Sequence, residues 1–221
     1  IPLCTLVSEY PVVTEELRKL AESKRIHTRW IHEYYVLQRD IAGRSDYSED
    51  EQKICQALKE RPLSVEQVSR LLGTQPYHLN TKRLEQEGVV LRSGLTPTDI
   101  MHIRGDYVNY CTEASVYGAE FVARCLFVER EQLEEMVYDE VKHKLYTNLA
   151  RILIERQYPG IGKAHISEQI KEVIESRWTA FKTGGKTVGR GRNFIDIDFH
   201  VPGVFVGVGG PTRIFLPEVA Q

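Results

Sequence analysis

The sequence lacks several features that would assign it to a specialised class of protein. It has few cysteines, and no two of them form a CxxC pair; they are Cys4, Cys55, Cys111 and Cys125. Such spacing argues against a structural zinc site and indicates reduced, mostly buried thiols. No apolar run approaches the roughly 20 residues that a membrane-spanning helix needs, and no signal-peptide pattern is present. We therefore expect a cytoplasmic protein without a membrane segment.

Neither sign of charge dominates the chain. With 29 basic and 31 acidic residues and a net charge of −2, no global field draws it to nucleic acid or to an anionic membrane. Its 221 residues, 42% of them hydrophobic, suffice for one large or two modest domains and exclude a fully disordered chain. The chain begins at Ile1 rather than at a methionine, so we expect a part of a longer protein.

The pattern of apolar residues and capping signals predicts a helix-rich α+β chain in three segments. Residues 1–47 read as the end of an upstream domain, with one strand near residues 30–38. Residues 48–92 contain two capping boxes that begin at Ser48 and Ser64, a third helix from Pro76 and a small strand at residues 89–91. Residues 93–221 form a helical scaffold, with helices at 113–126, 129–157 and 167–181, followed by a C-terminal strand, glycine turn and helix.

The order of elements in residues 48–92 predicts a winged helix-turn-helix-like module. Such modules often bind DNA through one recognition helix, whose candidate contacts here are Gln75, Tyr77, His78, Asn80 and Lys82. The segment holds seven basic and seven acidic residues, however, and phosphate neutralisation dominates DNA affinity. We favour a structural or protein-contact role, and a DNA-binding regulator with a ligand-sensing domain remains the alternative.

The most sharply punctuated stretch lies at residues 92–106. Thr96 is suited to be an N-cap and Pro97 to be the first helical residue, so a helix should begin there. Asp99 and His102 are three residues apart and share one face near the positive end of this helix. A carboxylate and an imidazole together could relay a proton, hold a metal or orient a water. The alternative is that Asp99 only caps the helix and His102 only packs.

Two further patterns suggest ligand binding less strongly. The basic, glycine-rich loop at 182–192 contains Gly-Lys-Thr, but a P-loop would need glycine where Ala180 stands, inside a helix. We expect a solvated loop, with an auxiliary anion contact as the alternative. Asp196, Asp198 and His200 alternate along a predicted strand at 194–200 and could recruit a metal, although we expect them to face solvent and predict no metal site.

The chain closes with an apolar strand, a glycine turn and a helix that begins near Pro211. The turn contains Gly207, Gly209 and Gly210. A glycine turn between a strand and a helix lets the backbone approach a nucleotide closely, and the helix start is available to polar groups. Such turns also serve packing alone.

Two landmarks together resemble the hydantoinase/oxoprolinase family, of the hydantoinase A type. They are SGLTPTDIMHIRG at residues 93–105 and VGVGGPTRIFLPEVA at residues 206–220. The strand-like EYYVL at 33–37, the helix-turn-helix stretch and the opening IPL also resemble the middle of such proteins. The likeness touches most of the chain, and its specific part is the two landmarks.

The resemblance implies a fold of the acetate and sugar kinase, Hsp70 and actin superfamily, in which two ribonuclease-H-like halves close on ATP. Members use Mg²⁺ and ATP to phosphorylate the amide oxygen of cyclic amides such as 5-oxoproline or hydantoins, often beside a second, metal-bearing subunit. The phosphate loop of such enzymes is absent from residues 1–221, so this part alone should hydrolyse little.

The resemblance also gives roles to individual residues. It implies that Gly207, Gly209, Gly210 and Pro211 form the adenosine-side turn, and it makes Asp99 and His102 candidate catalytic residues. The family's usual turn is Gly-Ala-Pro, and its alanine is replaced here by Gly210.

Overall fold

The structure is a computed structural model that describes residues 1–27, 30–160, 164–183, 199–201 and 203–220. Within these residues the chain forms ten α-helices and one sheet of three antiparallel strands. The helices are α1 (Leu3–Glu9), α2 (Val12–Glu22), α3 (Glu49–Leu58), α4 (Val65–Leu71), α5 (Lys82–Gln86), α6 (Pro97–Arg104), α7 (Glu113–Leu126), α8 (Arg130–Gln157), α9 (Ala164–Lys182) and α10 (Thr212–Val219). The strands are β1 (Tyr34–Leu37), β2 (Leu63–Ser64) and β3 (Val90–Ser93). The predicted helix-rich α+β class is confirmed at this level.

The chain divides into two compact units, Ile1–Glu135 and Met136–Gln221. The first unit holds α1 to α7 and the sheet, and the second holds α9, α10 and most of α8. Strand β1, from the predicted first segment, pairs with β2 and β3, which come from the predicted second. The segment boundaries at residues 47/48 and 92/93 stay predictions.

Strand β1 is the centre of the sheet and explains why an aromatic, β-branched stretch becomes a strand. It pairs antiparallel with β2 on one side and with β3 on the other, so Tyr34 lies opposite both Ser64 and Ser93. Tyr35 is fully buried, since a central strand of a covered sheet must hide both of its faces. The sheet thus fixes where β3 ends and α6 begins.

A core of hydrophobic side chains joins the first two helices to the sheet and to α7. Its buried members are Leu3, Leu6, Val7, Val13, Leu17, Tyr34, Val36 and Ala114. Helices α1 and α7 approach so closely that a Cβ at Gly118 would stand 2.4 Å from Leu3 Cδ1. Glycine at this position therefore permits the contact, because a core packed like a crystal has no room for another methyl group.

Three helix starts follow the capping signals of the sequence. Ser48 and Ser64 accept hydrogen bonds from the N3 amides of Glu51 and Gln67, and both N3 side chains bond back to the N-cap amide. At the start of α6 only the N3 side chain makes such a bond: Asp99 Oδ2 accepts from the amide and the hydroxyl of Thr96, and the Asp99 amide donates to the Thr96 carbonyl. These predictions are confirmed, because a capping box involves only residues three apart.

The single helix predicted from Pro76 is wrong. Residues Pro76–His78 form one 3-10 turn, the backbone at Leu79 is extended, and α5 begins only at Lys82. Asn80 Oδ1 accepts a hydrogen bond from the Lys82 amide at 3.2 Å, which is the bond of an Asx turn. The local side-chain bond competes with helix formation, and two short pieces result.

Helix α6 contains Ile100 and Ile103 and stops just before Gly105. It ends at Arg104, because Gly105 adopts φ 79° and caps the helix in the left-handed region. The Gly105 and Asp106 amides donate to the carbonyls of His102 and Met101 and satisfy the last turn. Glycine is the residue that adopts this conformation without strain.

In the second unit, α8 packs against α9 and α10 through aromatic and ionic contacts. The rings of Tyr138 and Phe215 meet edge to face at 4.9 Å. His143 stacks on Trp178 at 5.3 Å, and its Nε2 lies 2.6 Å from Glu175 Oε2. These contacts link the predicted long scaffold helix to the two helices that follow it.

The glycine-rich loop predicted at 182–192 and the strand predicted at 194–200 lie almost wholly outside the described residues, so both remain predictions. Among the helices that the structure describes, none is long and apolar enough to cross a membrane.

Candidate functional site

Asp99 lies at the meeting point of two helix starts and is fully buried. Its Oδ1 accepts hydrogen bonds from the Cys4 amide at 2.8 Å and from Ser115 Oγ at 2.7 Å. Its Oδ2 accepts from the Leu3 amide at 3.2 Å, and from the amide and hydroxyl of Thr96 at 2.9 and 2.8 Å. Five donors therefore surround one carboxylate.

These bonds make Asp99 the cap of two helices at once. Leu3 and Cys4 are the first residues of α1, whose own N-cap, Pro2, contributes no side-chain hydrogen bond. The positive ends of α1 and α6 both point at the carboxylate, which is the placement that favours a negative charge. Ser115 adds a bond from α7, so one side chain ties three helices together.

His102 is buried one turn further along α6. Its Nδ1 lies 2.7 Å from the Thr98 carbonyl oxygen, and its Nε2 lies 3.3 Å from the Asn109 amide nitrogen. A carbonyl can only accept and an amide can only donate, so the proton sits on Nδ1 and the Nε2 lone pair is occupied. To act as a base, His102 would first have to break its bond to Asn109.

Two further side chains complete this cluster, which consists of Cys4, His32, Asp99, His102 and Ser115. Cys4 Sγ lies 3.9 Å from His102 Nδ1. Burial, together with the nearby carboxylate, raises the pKa of the Cys4 thiol to about 12, so it is not an activated nucleophile. Burial lowers the pKa of His32 to about 4. Its Nδ1 has no hydrogen-bond partner among the described residues.

The structure thus brings the predicted pair Asp99 and His102 into one buried cluster, but no hydrogen bond joins them within the described residues. Sequence reasoning missed Cys4 and Ser115. The Cys4 amide is 95 residues away from the carboxylate that it contacts, and no periodicity or local motif reports such a contact. The catalytic roles remain predictions, and the contacts found are those of a helix junction.

The second candidate site is the glycine turn before α10. A Cβ at Gly207 would stand 2.8 Å from both Leu216 Cδ2 and Thr212 Cβ, so only glycine fits there without displacing the helix. Gly209 adopts φ 110°, and its carbonyl accepts bonds from the Thr212 amide at 3.2 Å and from Thr212 Oγ1 at 2.5 Å. The chain is therefore locked into a sharp turn that leads directly into α10.

An open cavity of about 480 Å³ lies beside this turn. Its walls are Gly203, Val204, Phe205, Gly207, Thr212, Arg213, Leu216, Pro217 and Ala220. Among the described residues, nothing lies within 4 Å of a Cβ built at Gly210, so the backbone there faces open space within that part of the chain. Pro211 is the N-cap of α10, as the sequence predicts. Gly209, Gly210 and Pro211 thus form one turn, and Gly207, two residues before Gly209, is the one of these four residues that lines the cavity.

Among the described residues, no group of three or more histidine, cysteine, aspartate or glutamate side chains is arranged to hold a metal ion. Two members of the predicted strand cluster, Asp196 and Asp198, lie outside the described residues.

Comparison with models of known protein families, with curated proteins and with solved structures finds no match to this chain.

Proposed function

We propose that this chain is the C-terminal part of an ATP-dependent cyclic-amide hydrolase of the hydantoinase/oxoprolinase type, and that it contributes the adenosine side of the nucleotide site. The observation that carries the proposal is the glycine-rich stretch at residues 207–211, which ends in the turn at 209–211. Gly207 packs against α10 and lines the cavity of about 480 Å³, Gly209 adopts φ 110°, and no described residue lies within 4 Å of a Cβ built at Gly210.

The chemistry of this turn suits the adenine and ribose of a nucleotide. A backbone without side chains lets a flat ring approach closely, and an apolar wall formed by Phe205 and Leu216 could cover one face of it. The positive end of α10 faces the turn and favours a polar or anionic group of the ligand. We accordingly assign this part of the site to orientation of the nucleotide.

In the complete enzyme, bound Mg·ATP supplies the phosphoryl group that activates the amide oxygen. The residues described here include no cluster suited to Mg²⁺, so we assign that ion to no side chain of this chain. The finer fold that accompanies the proposal is part of a ribonuclease-H-like domain after a winged-helix-like module. The substrate would be a small cyclic amide, and a second, metal-bearing hydantoinase-type subunit would be a partner.

Adenine binding by the chain itself tests the proposal. Saturation-transfer NMR with millimolar ADP should show transfer to the adenine protons, because half of a nucleotide site binds weakly but still contacts the ring. The Gly210→Asp variant should lose this transfer, since it places a charged side chain in the open space. Ser45→Asp is the matched control, because it adds the same charge to an exposed loop of the first unit. Equal transfer to all three proteins, or none to the parent, would refute the proposal.

A second candidate function rests on the order β1, α3, β2, α4, α5 and β3, which is that of a winged-helix module. The alternative of a DNA-binding regulator is weakened by the short α5. Its Arg83 is already engaged with Asp46, Glu51 and Glu87. A duplex gel shift that weakens steeply with salt would support DNA binding, and a salt-insensitive or absent shift would favour a protein-contact role.

A further inference from the structure

The segment Val204–Val208 exposes an unusual amount of apolar surface. Its three valines, Val204, Val206 and Val208, are 92%, 83% and 89% exposed. The two residues between them, Phe205 and Gly207, face α10 instead. Side chains that alternate between two faces are typical of a β-strand, and here one face is covered while the other is bare.

The main chain of this segment is also unpartnered within the described residues. It runs from Val204 to Val208 without a turn or a bend, and no hydrogen bond involves its amide or carbonyl groups. A row of free backbone donors and acceptors is a template for another strand, and natural edge strands usually protect such a row with charge or proline. Gly203–Gly210 has no charged residue at all.

We propose that Val204–Val208 pairs antiparallel with the same segment of a second copy of this chain. An antiparallel pair centred on Val206 places Val206 opposite Val206 and Val204 opposite Val208, so all six valines lie on one face. The segment is therefore self-complementary in both hydrogen bonding and shape. Because it carries no charge and the chain has a net charge of only −2, two copies meet without repulsion.

The segment shares Val204, Phe205 and Gly207 with the walls of the cavity beside the glycine turn, whereas Val206 and Val208 lie outside those walls. Because the association is measured without nucleotide, its outcome is read separately from that of the nucleotide hypothesis. The dimer interface is small, so we expect reversible association that depends on protein concentration rather than a permanent dimer.

A pair of double variants tests the pairing and its direction. In the antiparallel pair, residue 204 of one copy faces residue 208 of the other. Val204→Lys/Val208→Glu therefore places opposite charges across both ends, whereas Val204→Lys/Val208→Lys places like charges there. The two variants remove the same valines, and these side chains are exposed, so neither change should alter folding. Circular dichroism melting of both checks this point.

Sedimentation velocity across a range of concentrations gives the readout. The parent should move from monomer to dimer as concentration rises, with slowed amide hydrogen exchange confined to residues 204–208. The Lys/Glu variant should associate at least about tenfold more tightly than the Lys/Lys variant. A parent that is monomeric with fast exchange at every concentration would overturn the proposal. So would equal association of the two variants, or association of the Lys/Lys variant as tight as that of the parent.

Discussion

Replacing Asp99 by alanine should destabilise the first unit by about 3 to 5 kcal/mol. The carboxylate is fully buried and accepts bonds from the amides of Leu3, Cys4 and Thr96 and from two hydroxyls. Without it, three helix-start amides remain buried and unpaired, and each costs about 1 to 3 kcal/mol. Relief of the buried charge offsets part of this loss.

Asp99→Asn keeps the shape of the side chain but replaces one of its two acceptor oxygens by an NH₂ donor. Either orientation of the amide turns an NH₂ group toward at least two of the five donors, so about 2 to 3 kcal/mol should be lost with no cavity created. Asp50→Asn is the control, because that exposed aspartate also lies in the first turn of a helix, α3. We expect it to change stability by less than about 0.5 kcal/mol.

The assay is urea unfolding followed by circular dichroism, with amide hydrogen exchange at α1 and α6 as a local measurement. Both helices should lose protection together in the Asp99 variants, because one side chain caps both. A loss below about 1 kcal/mol for Asp99→Ala would refute the shared-cap reasoning. Loss of protection in α6 alone would show that the bonds to Leu3 and Cys4 contribute little.

Two other predictions concern the same junction. Burial lowers the pKa of His32 from 6.5 to about 4, so the unfolded chain binds the proton more readily. The contribution of His32 to the free energy of unfolding should then be fully present above pH 6.5 and fall by up to about 3 kcal/mol as pH decreases toward 4. In a His32→Gln variant the urea midpoint should change less with pH. Gly118→Ala should lower the free energy of unfolding by about 1 to 3 kcal/mol through its clash with Leu3. In a Leu3→Ala background the same change should be neutral or stabilising. A double-mutant cycle measured by thermal melting tests both outcomes.

The parts of the fold that could be predicted are those set by neighbours in sequence. The capping boxes at Ser48 and Ser64 and the bond between the Thr96 amide and Asp99 each need residues only three apart, and all three are present. The start of α10 near Pro211 follows equally local rules. The broken helix after Pro76 shows the limit of periodicity, because a single Asx bond at Asn80 outweighs a favourable apolar spacing.

The candidate sites depended on contacts that the sequence does not display. Asp99 reads correctly as a capping residue of α6, but its bonds to α1 join residues 95 and 96 positions apart. Likewise, the Asn109 amide donates to His102 Nε2. It lies near that ring only because Gly105 ends α6 and turns the chain back. In the sequence Asp99 and His102 look free to react, but in the folded chain their polar atoms are already hydrogen-bonded.

These hydrogen bonds distinguish the two landmarks of the hydantoinase-type resemblance, residues 93–105 with Asp99 and His102, and residues 206–220 with the glycine turn. A group that moves a proton in a reaction must offer a free lone pair or proton to the substrate. Both oxygens of Asp99 and both nitrogens of His102 are already engaged by the chain itself, whereas no described residue lies within 4 Å of a Cβ built at Gly210. The proposed adenine binding should therefore depend on the glycine turn and survive Asp99→Asn wherever that variant remains folded. If a folded Asp99→Asn protein lost adenine binding while Gly210→Asp kept it, the nucleotide would have to lie at the helix junction and the assignment of the two sites would be reversed.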